Sequence, residues 1–258
     1  MKKAMGINPE NCAFCGQFEI EIGSRGTQEF FQVYPTFREK GQVINASDNF
    51  VLIPDIAPIT EDYLLLVSKA HFSSFAAIPK TIEVESEQMM EVVVRRMKEF
   101  HQESEIIAFE HGVGTINGRT ILCGGCGRTD HAHLHILPVP KMKLNNIAER
   151  LAKKVCDNFE LKTKDIPALP NLDINSVTKG YPYLYLGSSI AEHGYVLVQE
   201  SIDASIPPQL IRKLLAVEVF GIREEDRMRW DWTDLIFAYP KQEERMILNT
   251  LNRWMPKK

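Results

Sequence analysis

At 258 residues with 44% hydrophobic content, the chain has enough material for one large core, or a core domain with a second lobe, without disulfide or metal staples. Its 34 acidic and 30 basic residues leave a net charge of −4, and the basic ones are scattered, which argues against a surface for duplex nucleic acid or an anionic membrane. A charged start with no apolar stretch behind it (MKKAMGINPE), and no run long enough to span a bilayer, give the expectation of a cytoplasmic, soluble protein whose ligand is small and charged.

In chain order, the first feature is a CxxC made by Cys12 and Cys15. A second, Cys123 and Cys126 in CGGC, comes later, and Cys156 stands alone. In a reducing compartment such pairs serve as metal ligands or redox thiols more often than as bridges. The segments QEFFQVY, NFVLIPD, DYLLLVSKA and IIAFEHG are short, rich in branched and aromatic residues and bounded by turn formers, so each predicts a strand. Residues 81 to 102 predict a helix. Met90, Val93, Met97 and Phe100 repeat at three and four, with acids (Glu83, Glu85, Glu87) early and bases (Arg95, Arg96, Lys98) late, as the helix dipole favours. Another strand ends at Pro138 and Pro140.

Residues 141 to 160 predict a helix, and KDIPALPNLDIN predicts a proline-punctuated connector with a domain boundary near residue 165. Beyond it, YPYLYL and YVLVQE suggest a hairpin, followed by helices in PPQLIRKLLAVEVFG and QEERMILNTLNRW. The expected fold class is α+β: residues 1–140 as one domain, and residues 141–258 as a connecting helix and a small mixed C-terminal extension. In that extension Arg212 and Lys213 are either a solvated helix face or a pair closing over phosphates.

The chemistry concentrates in CGRTDHAHLHILPVP, where three of only seven histidines fall at two-residue spacing. On a strand His131, His133 and His135 line one face, neighbours roughly 7 Å apart, while Ala132, Leu134 and Ile136 face the core. Three histidines in register are hard to explain by packing, because each needs a partner when buried. Imidazole near neutral pH serves as metal ligand, proton carrier or nucleophile. For phosphoryl chemistry one histidine attacks phosphorus and a neighbour protonates the leaving oxygen.

This pattern resembles the histidine triad (HIT) superfamily. HAHLHIL matches its signature, and CAFC, NFVLIPDIAPIT, YLLLVSKAHFSSFAAIP, a helix and IIAFEHG precede it in the family's order over about residues 10 to 140. The resemblance implies an antiparallel sheet with flanking helices, nucleotide binding and attack by His133 on the α-phosphate to give a nucleotidyl-histidine. His135 would contact the phosphate and assist the leaving group. Asp55 would accept hydrogen bonds from ribose hydroxyls with Ile56 packing on the base, although a turn carboxylate capping IAPIT is the ordinary alternative for Asp55. The resemblance also implies a structural zinc held by Cys12, Cys15, His71 and His131, a closed tetrahedral set suited to structure. The rival set takes Cys123 and Cys126 with Cys12 and Cys15. Single-domain relatives pair as two-fold dimers, so a homodimer is possible unless the extension covers that face.

The chain departs from the family around the phosphate. Where the hydrolases carry Gly-Gln-Ser before the triad and an Asn ending the preceding strand, it has GCGRTD, FEHG and the insertion VGTINGRTILCGG. Backbone amides of residues 125 to 129, with Arg128 and the Thr129 hydroxyl, are candidate replacements, since Arg grips phosphate in a fork and glycines admit the backbone, while an exposed loop cation is the ordinary alternative for Arg128. His111 reads as a plain strand-end histidine or a pocket residue. A third histidine in place of Gln favours hydrolysis over transfer, and no catalytic metal is required. The alternatives are a nucleotide-binding sensor without turnover, and a metal-dependent hydrolase using the histidines as ligands.

Overall fold

The computed structural model describes residues 14, 34–37, 41–116, 119–121, 131–141, 146–200, 206–207, 209–226 and 241–255. Eight strands form one sheet: β1 (Asn45–Ala46), β2 (Phe50–Pro54), β3 (Leu64–Ser68), β4 (Ser104–Gly112), β7 (His133–Pro140), β8 (Lys162–Pro167), β9 (Tyr183–Ser188) and β10 (His193–Val198). Their order is β1-β2-β3-β7-β4-β9-β10-β8, and every pairing is antiparallel. The insertion before the triad forms a separate hairpin of β5 (Gly114–Ile116) and β6 (Arg119–Ile121). The helices are α1 (Lys80–Phe100), α2 (Ile147–Asn158), the single turn α3 (Asn175–Thr178), α4 (Leu210–Leu214), which continues as a π turn over Leu215–Val219, and α5 (Lys241–Trp254). This is the expected α+β class.

The apolar runs explain the layering. Strands β2 and β3 are buried at all five positions each, so both faces are covered and the sequence reads as continuous hydrophobics. On the back face, Leu134 and Ile136 join Ile106, Ala108 and Tyr183 under Met90, Val93 and Met97 of α1 and Ile247, Leu251 and Trp254 of α5. Each such side chain contributes about 1.5–3 kcal/mol on burial. The front face carries two clusters. Val51, Ile53, Leu65 and Val67 pack at one end with Phe14. Leu137, Val139, Phe109, Leu184 and Leu186 pack at the other with α2 and with Ile211, Leu215 and Ala216. The histidines of β7 lie between them.

The segment after residue 160 supplies three of the sheet's eight strands. The expected hairpin is present as β9 and β10, with Leu186 opposite Tyr195, and it docks on β4, Phe109 opposite Leu186. The connector KDIPALPNLDIN is only partly a connector. Its first residues belong to β8, whose exposed Lys162 and Lys164 blunt a free sheet edge, and the position near residue 165 falls inside that strand. Helix α5 is tied to the turn between β2 and β3, where Asp62 accepts from Trp254 Nε1 (3.0 Å) and from Arg253. The expected strand QEFFQVY lies outside the described residues except for Tyr34. Among the described residues no helix is long and apolar enough to cross a membrane.

Candidate active site

Strand β7 is inserted between β3 and β4, which sets His133 opposite Val67 and His135 between Leu65 and Phe109. Alternation then turns both imidazoles to the front face, while Leu134 and Ile136, fully buried, anchor the strand from behind. The His133 and His135 rings stand 5.0 Å apart at 70°. His133 Nδ1 lies 2.6 Å from the backbone carbonyl of His131. A carbonyl only accepts, so Nδ1 carries the hydrogen and Nε2 carries the lone pair. Burial, reinforced by His135, pushes the His133 pKa down to about 3. Phe14, between the first two cysteines, packs 5.4 Å from the same ring.

His135 is held on three sides. Phe109 stacks on it at 4.5 Å and 9°, Tyr63 Oη is 2.9 Å from Nδ1, and Asp55 Oδ2 is 3.4 Å from the same nitrogen. Burial lowers its pKa, Asp55 works in the opposite direction, and Arg212 adds to the lowering.

Behind His135 sits a buried ion pair that joins the first half of the chain to the last. Asp55 and Arg212 are each 2% exposed. Oδ1 of Asp55 accepts from Ala57 N–H (2.7 Å) and Arg212 Nη2 (2.9 Å), and Oδ2 accepts from Arg212 Nη1 (3.0 Å). Arg212 also donates to the Ala57 carbonyl, and its guanidinium lies 5.0 Å over the Tyr63 ring. Desolvation would raise the Asp55 pKa, but Arg212 and His135 outweigh it and hold the carboxyl well below its usual range. A carboxylate offers about four acceptor directions. Three of them are taken by Ala57 N–H and Arg212, and His135 Nδ1 stands 3.4 Å from Oδ2, so Arg212 holds the side of Asp55 that a ribose hydroxyl would need. The turn role is realised through Ala57 N–H. Arg212 is neither a solvated cation nor a surface phosphate clamp, because Ile211, Leu215 and Ala216 carry it into the front cluster; Lys213 beside it pairs with Glu224 at the surface.

Ile56 is half-buried against the back-face cluster, and its carbonyl accepts from Tyr34 Oη at 2.8 Å. His111, at β4's next front-face position after Phe109, faces the same site; burial and then His135 lower its pKa to about 4. His131 and His71 meet with ring centroids 5.1 Å apart at 85°. His131 Nε2 is 2.7 Å from the Ser68 carbonyl, so it donates there and Nδ1 keeps the lone pair. Phe14 is 5.6 Å from the His131 ring. Among the described residues no three His, Cys, Asp or Glu side chains converge as metal ligands. Cys12, Cys15, Cys123, Cys126, Arg128 and Thr129 lie outside the described residues.

Tyr63 and Phe109 were not expected at the site, and Arg212 was considered there only as a cation closing over phosphates. The first two are visible only through register, since strand pairing decides which aromatics flank His135. Arg212 carried a signal: its spacing of three and four from Leu215 and Ala216 puts it on the buried stripe of its helix.

No protein-family model and no curated protein sequence matches the chain. Among solved structures it is similar to yeast Ap4A phosphorylase Apa2 in complex with AMP, at 12% identity and a TM-score of 0.40, over 69% of this chain and 66% of that one, just under two thirds. The same enzyme in complex with Ap4A matches at 13% identity and 0.39, over 74% of this chain and 72% of that chain.

Proposed function

We propose that the chain is a nucleotide phosphohydrolase or nucleotidyl transferase that works through a nucleotidyl-histidine intermediate on His133. The observation that carries this reading is the hydrogen bond from His133 Nδ1 to the His131 carbonyl, which leaves Nε2 as a lone-pair nucleophile on the front face. In the first step Nε2 forms a bond to the α-phosphorus, the bond from phosphorus to the leaving oxygen breaks, and its electron pair leaves with that oxygen. His135, one ring away, supplies the hydrogen bond or proton that the leaving oxygen needs. In the second step water, or an acceptor hydroxyl or phosphate, attacks phosphorus and the P–N bond breaks, returning its pair to Nε2, while any proton on the attacking oxygen passes to solvent. Arg128, Thr129 and the amides around them would take the remaining phosphate oxygens.

The chemistry of the donor set fits a structural zinc held by Cys12, Cys15, His71 and His131. A ligand imidazole ordinarily donates its other N–H to a carbonyl, as His131 does to Ser68. Such a metal would fix the start of β7, so that the His131 carbonyl is held where His133 needs it.

The test is to incubate wild type and His133→Asn with α-labelled ATP, an adenosine phosphoramidate and a dinucleoside polyphosphate, then measure intact mass and released mononucleotide. An acid-labile nucleotidyl adduct and turnover in the wild type, both reduced to background in the variant, are expected. Turnover that persists in His133→Asn overturns the reading. Native mass of the same samples should report one zinc per chain, lost in Cys12→Ser.

A further inference from the structure

The third histidine has two ring nitrogens and, when neutral, one hydrogen. Which nitrogen carries it decides whether His135 offers the front face a donor or a lone pair. Its Nδ1 is within reach of two groups that ask for opposite answers: Tyr63 Oη at 2.9 Å and Asp55 Oδ2 at 3.4 Å. A carboxylate only accepts and would draw the hydrogen onto Nδ1. Tyr63 can donate, and would leave Nδ1 as an acceptor with the hydrogen on Nε2. The phenol is not a thiol-like acid here; burial holds it protonated.

Arg212 touches both competitors. Guanidinium donates and never accepts, so its Nη1 contact with Tyr63 Oη (3.5 Å) occupies the phenol oxygen and turns the Tyr63 hydrogen toward His135. Its paired bonds to both Asp55 oxygens (2.9 and 3.0 Å) at the same time neutralise the carboxylate that would pull the other way. We propose that Arg212, contributed by the C-terminal segment, is the positioning residue that places the hydrogen of His135 on Nε2, with Asp55 and Tyr63 serving His135 rather than a ribose.

The consequence is a complementary pair. His133 presents an Nε2 lone pair, and His135 presents an Nε2–H beside it, the nucleophile and the donor that transfer of a phosphoryl-type group requires. Stacking on Phe109 keeps the His135 ring from turning over to exchange its nitrogens. The charged or titratable groups facing His135 among the described residues are Asp55 from the end of β2, Tyr63 before β3, His133 on its own strand, His111 on β4 and Arg212 from α4. Burial and the Arg212 charge disfavour the imidazolium, and only Asp55 favours it. Losing Arg212 therefore lets Asp55 dominate.

The inference deepens the proposed function, but its test needs no substrate. Ring nitrogens of the full-length protein are followed by long-range proton–nitrogen NMR correlation between pH 5 and 9, with the His135 signals assigned by their loss in His135→Asn. In the wild type at pH 7 His135 should be neutral with its hydrogen on Nε2. In Tyr63→Phe the hydrogen should move to Nδ1, toward Asp55. In Arg212→Met it should also move to Nδ1 or the ring should become an imidazolium, with the titration midpoint shifted upward. Because Arg212→Met strands a buried carboxylate, Asp55→Asn/Arg212→Met is measured beside it. With both charges gone, Tyr63 should restore the Nε2–H tautomer. A wild type with its hydrogen on Nδ1, or a tautomer unmoved in Tyr63→Phe and in whichever Arg212 variants fold, overturns the assignment. Either result stands whether or not His133 traps a nucleotide.

Discussion

Asp55 and Glu110 are two buried carboxylates on opposite faces of one sheet, 2% and 1% exposed, and they have opposite fates. Asp55 meets a guanidinium that binds both of its oxygens, so its pKa falls despite burial. Glu110, on β4 one residue past Phe109 and so turned to the back, meets only neutral donors: Phe75 N–H at 2.9 Å and the Tyr183 hydroxyl. Burial wins there and raises its pKa to about 8, against the pull of those two hydrogen bonds. The site beneath is closely fitted, because Gly112 lets the Tyr183 ring lie across β4 where a Cβ would come within 2.1 Å of it. One arginine therefore separates a permanent anion from a carboxyl that stays protonated at neutral pH. Charge beside the histidines is built from a segment remote in sequence, and the pocket around Glu110 holds its carboxyl neutral instead.

Removing that arginine is the strongest way to break the contrast. Arg212→Met leaves Asp55 buried without its counter-charge, and should cost about 3–5 kcal/mol of stability, read as a lower urea midpoint with little change in slope. The double variant Asp55→Asn/Arg212→Met should recover most of that loss, since replacing both partners of a buried pair is often close to neutral. A single variant within about 1 kcal/mol of wild type would mean that water reaches the pair.

The second test works on pH. Between the ordinary glutamate value of 4.5 and about 8, the unfolded chain has lost the Glu110 proton while the folded chain keeps it. The folded state binds more protons over this window, so this residue makes stability fall as pH rises, by at most about 1.4 kcal/mol per pH unit. Asp55 has the opposite sign: its contribution is complete above the ordinary carboxylate range and is lost only as pH falls below it toward the depressed folded value. Glu110→Gln should therefore remove a falling component from the wild-type stability profile between pH 5 and 8, against which the buried histidines contribute a rise toward pH 6.5, and the component is read as the difference between two denaturation series. Parallel series would show that Glu110 ionises normally in the folded chain.

These two carboxylates also mark how far the sequence could be read. Alternation in HAHLHIL places His133 and His135 on one face with Leu134 and Ile136 behind them, and the structure has that arrangement, because a period of two leaves no freedom once the apolar face is buried. The helix over 81 to 102 was equally plain from its spacing and its charge gradient. What was not legible depends on pairing between distant segments. KDIP, the end of β8, looked like the start of a connector because lysine and proline are edge-strand devices, and an edge is defined only by the strand it borders. Asp55 reads as a turn or ligand carboxylate until Arg212 is brought to it across 157 residues of chain. The partners of His135 follow from register, which the sequence does not print.

Lys213 gives the smallest effect and calibrates the largest. It sits next to Arg212, carries the same charge and has its own carboxylate partner, Glu224, yet their side chains are 35% and 65% exposed. Both charges remain hydrated when the pair opens, so the Coulomb gain is set against little desolvation and is reduced by side-chain entropy and salt. Lys213→Met should change stability by no more than about 1 kcal/mol, and by less in high salt. Arg212→Met should keep most of its cost at the same salt concentration, because ions do not screen a pair they cannot reach. If the two variants instead lost stability equally and in parallel with salt, the common cause would be helix charge in α4, and burial would not be what distinguishes Asp55 from an ordinary surface carboxylate.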